Sequence, residues 1–277
     1  MEYIQLSHNH YTKETLLLPF AFTDLVAKIS GETKQAYLHT WQTDPLVILG
    51  MRDQQLPQFF EGAKYLNQQG YLTVIRNAGG LAVLSDPGIL NVTLAFPKDG
   101  IDSIDAAYDV MLALTQKAYP NVKVETKEIV DSYCPGKYDL SVNGQKIAGI
   151  AQRRVNQGIA VMMYLGLNGD QLKRGQLIQN FYEIAGIAKV PEKEFPQVRP
   201  ASMTTLEALN QTPYTTQEVI NHLKETLHIQ QEMHDGAFIA NFGLTDELNQ
   251  RFQSMRTRNQ KLQYSGIKSR NFFNKFS

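Results

Sequence analysis

The Asn143-Gly144 dipeptide constrains the fold of this 277-residue chain more than any other local feature. Both residues tolerate the positive φ angles of a two-residue hairpin turn, so the pair is a strong hairpin signal between strand-like segments. Residues 138–142 and 145–154, on either side, have the apolar and β-branched character of strands. The sequence therefore predicts an antiparallel hairpin at the centre of the chain.

Strand-like and helix-like segments alternate around this hairpin. Residues 1–34 form a leading segment whose only predicted element is a helix at 21–29. The other predicted strands are 35–40, 46–51, 71–76, 81–84, 89–96, 122–132 and 159–167. The other predicted helices are 54–70, 101–119, 170–187, 204–209, 216–233 and 245–262, before a basic end at 263–277 that is expected to fray. This mixture predicts an α+β fold, with mixed, mainly antiparallel sheets flanked by helices and a helical C-terminal extension.

Composition excludes several classes of function. Lys+Arg and Asp+Glu both total 27, so no overall field steers the chain to nucleic acid or to an anionic membrane. One cysteine excludes an internal disulfide framework and a cysteine-based zinc cluster, and the six histidines lack metal-binding spacing. Without a basic leader or a membrane-length apolar run, the chain is predicted to be a soluble cytoplasmic protein with no metal site.

Cys134 is the single cysteine, and it lies in a Cys-Pro-Gly turn. A lone cysteine is more often a buried small hydrophobe than a nucleophile. The turn at Pro135-Gly136, however, places the thiol at a strand end or loop mouth, where reactive groups tend to lie. Nearby cations, which favour the thiolate, are Lys137, Lys146, Arg153 and Arg154. The sequence therefore indicates a candidate nucleophile for acyl transfer through a thioester.

Lys146 is the candidate partner of this thiol, but the hairpin geometry separates the two. A plain two-residue hairpin places Lys146 opposite Ser141. Cys134 is seven residues further along, or about 23 Å away at about 3.3 Å per residue. The two meet only if the segment from Cys134 to Lys137 folds back over the hairpin. The alternative is that Lys146 is a solvated strand lysine.

The segment Arg76-Asn77-Ala78-Gly79-Gly80 is a second candidate. A strand that runs into paired glycines lets the backbone approach a ligand, and its N–H groups can form an anion-binding nest. The segment lacks the spacing of a nucleotide P-loop, and GxGxxG is also absent. Apolar strands on both sides could line a channel for a fatty chain. The alternative is a hairpin corner.

Three further polar residues have mainly structural interpretations. His39, beside Trp41 on a predicted strand, is interpreted as a buried histidine with satisfied hydrogen bonds. Asp86 and Asp139 could orient neighbouring groups, although aspartates in turns usually cap them.

Three segments together resemble the biotin/lipoate protein ligase and transferase superfamily: RNAGGLAVLSDPGILNVTL, SYCPGKYDLSVNGQKIAGIAQRR and GIAVMMYLGL. The resemblance covers roughly residues 35–225, with the segments in the order of the family. Within the superfamily, the cysteine motif is most similar to the transferases of Gram-positive bacteria that take octanoyl groups from the lipoyl domain of GcvH. The resemblance implies a catalytic domain at residues 1–225 and a helical extension at 226–277.

The resemblance also implies roles for individual residues. Cys134 falls on the nucleophile that carries the acyl thioester. Lys146 falls on a lysine that favours the thiolate and contacts the acyl carbonyl. The substrate-binding positions that flank the acyl chain are Arg76, Asn77, Gly79 and Gly80, with Gly149 from the cysteine motif.

Two departures from the ATP-dependent ligases of the superfamily favour direct transfer. Those ligases typically carry a third glycine in the loop and lack the nucleophilic cysteine, whereas this loop reads GGLAV and Cys134 is present. The resemblance thus implies transfer of an octanoyl or lipoyl group from the GcvH lysine to lipoyl domains of 2-oxoacid dehydrogenase acyltransferase subunits. We expect no ATP or other cofactor, and a monomer.

Three alternatives stay open at this point. A transferase that takes octanoate from acyl carrier protein uses the same nucleophile, and a local basic patch formed by Lys173, Arg174, Arg153 and Arg154 would suit that acidic donor. An ATP-dependent lipoate or biotin ligase would not depend on Cys134. A non-catalytic protein that binds lipoyl domains would form no covalent adduct.

Overall fold

The structure is a computed structural model that describes residues 1–191 and 194–262, so the segment predicted to fray at 263–277 lies outside it. The strands are β1 Tyr3–Tyr11, β2 Ala36–Thr43, β3 Leu46–Leu49, β4 Leu72–Ile75, β5 Val83–Ser85, β6 Ile89–Pro97, β7 Glu125–Thr126, β8 Leu140–Val142, β9 Gln145–Val155, β10 Gly158–Gly166 and β11 Gln231–Met233. The helices are α1 Leu18–Thr33, α2 Phe59–Gln68, α3 Ile104–Ala118, α4 Gln171–Ile184, α5 Leu206–Asn210, α6 Thr216–Thr226, α7 Asp235–Asn241 and α8 Thr245–Asn259.

Eight strands form one large sheet in the order β11-β1-β2-β6-β10-β9-β8-β7. The pairs on either side of β1 are parallel, and the pairs from β2 to β7 are antiparallel. A second sheet has the order β4-β3-β5, with β4 parallel and β5 antiparallel to β3. The predicted α+β fold with mixed, mainly antiparallel sheets is confirmed.

The central hairpin forms as predicted. Asn143 and Gly144 have φ angles of 50° and 79°, the left-handed values that a two-residue turn of this kind requires. Ser141 pairs with Lys146, which is the predicted register. A register shift between Leu140 and Ser141 then ends the regular pairing of β8. The short length of β8 allows the chain before it to turn back.

The large sheet carries an apolar core on each face. One face packs against α1, the small sheet and α4, through side chains such as Leu25, Ile48 and Phe181. The other face packs against α3 and α6, through side chains such as Met111 and Ile220. The candidate active site lies on the first face, between the two sheets.

The structure corrects the sequence predictions in three places. The leading segment contains the strand β1, which sequence reasoning missed because the polar residues Gln5 and Ser7 occupy buried positions in it. The helix predicted at 216–233 ends at Thr226. His228 has a left-handed φ of 55°, and the chain continues as β11, parallel to β1. Of the strand predicted at 122–132, only Glu125–Thr126 pairs.

The described part of the C-terminal extension contains both strand and helix. β11 adds to the edge of the large sheet, and α8 packs against α1 through the buried Leu248, Phe252 and Met255. Among the residues that the structure describes, no helix is long and apolar enough to span a bilayer.

Candidate active site

Cys134 lies in a loop whose backbone is held in an uncommon conformation. Its φ angle is 48°, in the left-handed region that non-glycine residues seldom adopt. Such strain persists only where surrounding contacts enforce it, and it concentrates at functional sites. The side chain of Cys134 is partly exposed.

Lys146 supplies the contacts that fold this loop back over the hairpin. Its Nζ donates to the carbonyl oxygens of Cys134 at 2.8 Å and Tyr133 at 3.1 Å, and to Ser132 Oγ at 3.4 Å. Lys146 is only 1% exposed, so the interpretation as a solvated lysine is wrong. The fold-back that the hypothesis required is present, and it joins Lys146 to the backbone of the cysteine loop.

Asp139 completes this arrangement. It forms a buried ion pair with Lys146 at 2.9 Å, and its Oδ2 accepts hydrogen bonds from the N–H groups of Gly136 and Ile129. Burial raises the pKa of Asp139 above its usual value, although Lys146 and the two N–H groups act in the opposite direction. Asp139 thus both caps the turn and orients the lysine.

The thiol receives its own contacts from the Arg76–Gly80 loop and the residue that follows it. The N–H of Leu81 donates to Cys134 Sγ at 3.3 Å, and Arg76 Nη2 lies 3.6 Å from the same sulfur. Arg76 is 4% exposed. Burial lowers its pKa, but contacts with Cys134 and Tyr164 outweigh burial and raise it overall. The sulfur thus has two donors beside it, a buried guanidinium and a backbone N–H.

The glycines of the predicted site differ in how much space a side chain would have there. A Cβ atom at Gly80, whose φ is 91°, would lie 2.5 Å from Arg76 Nη2 and 3.3 Å from Cys134 Sγ. A Cβ atom at Gly149 would lie 3.3 Å from Lys146 Cε, whereas one at Gly79 would meet nothing within 4 Å. The structure therefore brings Gly80 and Gly149 to the site, and Gly79 faces open space beside it.

Asn77 belongs to a polar network centred on Asp24, a residue that sequence reasoning missed. Asn77 Nδ2 donates to Asp24 Oδ2 at 3.2 Å. Arg153 binds both carboxylate oxygens of Asp24, at 2.9 and 2.8 Å, and also donates to the carbonyl oxygen of Asn77. Because Asp24 lies in the middle of α1, no motif in the sequence identifies it.

Sequence reasoning also missed a second polar network, which holds Ala82, the residue after Leu81. The N–H of Ala82 donates to the hydroxyl of Tyr182 at 3.2 Å, and that hydroxyl donates to Asp53 Oδ1 at 3.0 Å. Asp53 also accepts from the N–H of Gly50 at 2.8 Å. Burial raises the pKa of Asp53 to about 7. These contacts fix the backbone that presents the Leu81 N–H to the sulfur.

Two cavities meet at Tyr164, which contacts Arg76. The first has an empty volume of about 340 Å³ and is mostly apolar. Its lining combines apolar and aromatic residues, among them Phe20, Trp41, Met162 and Tyr164, with polar ones, among them Asp24, Asn77 and Arg153. The second, of about 330 Å³, shares Tyr164 and is also lined by residues that include Tyr133, Lys146, Gly149 and Met203.

Other sequence expectations are corrected. The predicted basic patch does not form, because Arg174 is buried in a bidentate pair with Asp86 and Arg153 binds Asp24. Asp86 also accepts from the N–H of Gly88, so it caps its turn as expected.

His39 is buried, but in the described part of the chain neither of its ring nitrogens has a hydrogen-bond partner. Burial lowers its pKa to about 3.

Among residues 1–191 and 194–262, no group of three or more His, Cys, Asp and Glu side chains is arranged to hold a metal ion.

Solved structures share this fold. Lipoate-protein ligase A bound with ATP superimposes with a TM-score of 0.66 at 17% identity, covering 93% of this chain and 95% of that one. A putative lipoate protein ligase from T. acidophilum with bound lipoic acid has a TM-score of 0.64 at 17% identity, covering 93% and 96%.

Curated relatives are closer in sequence. The octanoyl-[GcvH]:protein N-octanoyltransferase of Macrococcus caseolyticus is 39% identical over 260 residues, 92% of this chain and 93% of that protein. The enzyme of the same name from Staphylococcus aureus is 42% identical, covering 73% and 74%. The lipoyl-[GcvH]:protein N-lipoyltransferase of Listeria monocytogenes is 42% identical, covering 69% and 70%.

The family model for the lipoyl protein ligase A/B catalytic domain matches residues 17–228, which is more than half of the chain. The chain therefore belongs to the lipoyl protein ligase A/B catalytic-domain family, and within it to the group that contains the octanoyl- and lipoyl-[GcvH]:protein transferases.

Proposed function

We propose that this protein transfers an octanoyl or lipoyl group from a lysine of the GcvH lipoyl domain to lysines of lipoyl domains on 2-oxoacid dehydrogenase acyltransferase subunits, through a thioester on Cys134. The observation that carries the proposal is the pair of donors, Leu81 N–H and Arg76 Nη2, on the only thiol of the chain. The GcvH-dependent transferases among its relatives support the choice of donor.

The acyl chain is assigned to the first cavity. The apolar part of its lining suits an aliphatic chain, and Asn77, next in sequence to Arg76, also lines it. Tyr164 lines this cavity and contacts Arg76, which itself contacts the sulfur. These contacts connect the cavity to the Cys134 thiol.

In the first step, the Cys134 thiolate attacks the carbonyl carbon of the octanoyl amide on the GcvH lysine. A C–S bond forms, the C–N bond breaks, and the lysine nitrogen takes up a proton as it leaves as an amine. Positive charge and N–H donors near the thiol stabilise the oxyanion that develops. The family resemblance suggests Lys146 as the donor of this proton, which stays a prediction, since its ammonium group is directed at Cys134 O, Tyr133 O and Asp139.

In the second step, the amine of the acceptor lysine attacks the thioester. A new C–N bond forms, the C–S bond breaks, and the acceptor nitrogen loses a proton while the thiolate is regenerated. The overall exchange replaces one amide with another, so it needs no energy input. Accordingly, the proposal includes no ATP and no bound cofactor.

Intact-mass spectrometry tests the intermediate. The full-length protein is incubated with octanoyl-GcvH and no acceptor, and we expect a mass increase equal to one octanoyl group. Cys134→Ala should form no adduct and should transfer nothing to an acceptor lipoyl domain. Lys173→Ala, at a side chain that is 86% exposed, is the control and should acylate normally. A wild-type protein that gains no octanoyl mass would contradict the proposal.

Three donors separate this function from its alternatives. The protein is assayed in parallel with octanoyl-GcvH, with octanoyl-acyl carrier protein, and with octanoate plus ATP. We expect adduct formation with the first donor. Preference for acyl carrier protein would identify the alternative transferase. Pyrophosphate release that survives Cys134→Ala would identify a ligase.

A further inference from the structure

We propose that α8, in the C-terminal extension, is a positioning element that holds the Arg76 loop against the Cys134 thiol. The inference concerns the same site as the proposed function and rests on it for its catalytic consequence. It assigns a role to a helix that the sequence motifs leave unexplained. Two separate contacts of α8 carry the inference, one on each side of Arg76.

The first contact is between Asn259 and the edge strand β4. Among the described residues of the small sheet, β4 pairs with β3 along one edge, so the outer backbone groups of Ile75 need another partner. Asn259 Oδ1 accepts from Ile75 N at 2.7 Å, and Asn259 Nδ2 donates to Ile75 O at 3.1 Å. The amide therefore replaces a neighbouring strand at the residue directly before Arg76.

The second contact reaches the residue directly after Arg76. Arg251 Nη1 donates to Asp24 Oδ2 at 3.2 Å, and the same oxygen accepts from Asn77 Nδ2. Arg251 is further held by Glu247 on its own helix at 2.7 Å. Helix α8 thus binds Ile75 directly and Asn77 through Asp24, so it anchors both neighbours of Arg76.

The position of Arg76 depends on these anchors as well as on the contacts of its own side chain, which include Tyr164. Its Nη2 donates to Leu81 O at 3.2 Å and lies 3.6 Å from Cys134 Sγ, while its Nε has no hydrogen-bond partner among the described residues. Small displacements of a group that contacts the reacting atom are costly, since a shift of about 1 Å can cost about 100-fold in rate. Anchoring the backbone at Ile75 and Asn77 limits such displacements.

A purely structural role for α8 makes a different prediction. Leu248, Phe252 and Met255 bury the apolar face of the helix in the core. If α8 contributes only packing, all substitutions that destabilise it should affect the site in proportion to the stability lost. If Asn259 positions the loop, its loss should change the reactivity of the thiol more than an equally destabilising packing change does.

The test compares Asn259→Ala with Leu248→Ala, both at buried positions of α8. Alkylation of Cys134 by iodoacetamide is followed from pH 5 to pH 9, and it reports this thiol alone because the chain has no other cysteine. Urea unfolding is measured beside it. We expect Asn259→Ala to slow alkylation at pH 7 about 10-fold and to move the profile to higher pH, and Leu248→Ala to lower stability with a nearly wild-type profile.

Arg251→Ala tests the second anchor without risk to the core, because this side chain is 28% exposed. It should slow both alkylation and octanoyl transfer several-fold. Arg256→Ala removes the same charge from the same helix, at a residue bonded to Gln253, and is the matched control. Wild-type alkylation in folded Asn259→Ala and Arg251→Ala would overturn the inference, as would equal slowing in Leu248→Ala.

Failure of the proposed acyl transfer and failure of the positioning role give different results in these experiments. If octanoyl-GcvH leaves no adduct on the wild type while Asn259→Ala and Arg251→Ala still slow alkylation, the positioning role stands and the acyl transfer does not. If the adduct forms at equal rates in the wild type and both variants, the transfer stands and the positioning role is wrong.

Discussion

The ammonium group of Lys146 lies 2.8 Å from the carbonyl oxygen of Cys134, whereas the thiol of Cys134 is bound by the Arg76 side chain and the Leu81 N–H. Two cations thus act on one residue in different ways. Lys146 holds the backbone of the cysteine loop in its left-handed conformation, and Arg76 contacts the sulfur. This division suggests separate consequences for the loss of each cation.

Replacing Lys146 with Met should destabilise the protein by about 3 to 5 kcal/mol, because it leaves Asp139 as an unpaired buried carboxylate. Urea denaturation measures the loss. In the double variant with Asp139→Asn, the buried charge is removed and much of the stability should return, but transfer should stay low because the loop carbonyls still lack their donor. Full recovery of transfer in the double variant would contradict a positioning role for Lys146.

Replacing Arg76 with Ala should slow alkylation of the thiol at pH 7 about 10- to 100-fold. A hydrogen bond to a charged group contributes about 1.5 to 3 kcal/mol, and each 1.4 kcal/mol corresponds to about a factor of ten. The rate with iodoacetamide is the measurement. Arg52→Ala is the control, since this arginine lies over the ring of Phe195. Equal rates in the two variants would show that Arg76 does not increase the reactivity of the thiol.

Replacing Gly80 with Ala should abolish most of the transfer. The added Cβ would lie 2.5 Å from Arg76 Nη2, and the φ angle of 91° is strained for alanine. We expect a loss of about 100-fold in kcat/KM, the scale of a 1 Å misplacement at a reacting group. Gly136→Ala is the control within the cysteine loop, because its Cβ would meet Asp139 at an ordinary 3.6 Å.

The Asp235→Asn substitution should remove a pH dependence of stability. Burial raises the pKa of Asp235 from its usual 3.8 to about 7, so the folded state binds a proton more tightly than the unfolded state. Its contribution to the unfolding free energy is therefore fully present below about pH 4 and is lost as the pH rises through 7. The wild type should weaken relative to the variant over this window.

The geometry at Asp235 makes this substitution conservative. Asn9 Nδ2 and the Tyr11 hydroxyl both donate to Asp235 Oδ2, while Oδ1 has no partner in the described part of the chain. An asparagine can keep its carbonyl oxygen at the first position and place its NH2 group at the second. Urea unfolding of both proteins from pH 4 to pH 8 measures the difference between their unfolding free energies. The titration of Asp53, which is buried in both proteins, contributes equally to the two and cancels. A constant difference across this range would contradict the expectation.

Local sequence determined the elements whose physics is local. The Asn143-Gly144 turn and the pairing of Ser141 with Lys146 follow from backbone preferences over a few residues, and both were predicted. The mixed α+β class and most helices follow from apolar periodicity. The strand β1 and the end of α6 were not predicted, because Gln5 and Ser7 interrupt the pattern and pairing with β11 depends on a distant segment.

Only the tertiary structure decided how the site is assembled. Arg76 meets Cys134 across 58 residues of sequence, and Asn259 meets Ile75 across 184. Such contacts form because packing of the two sheets and α8 excludes water and leaves each buried polar group dependent on whatever partner the fold provides. Sequence could therefore name Cys134, Lys146 and Arg76, but it could not show that the lysine binds the backbone and the arginine binds the sulfur.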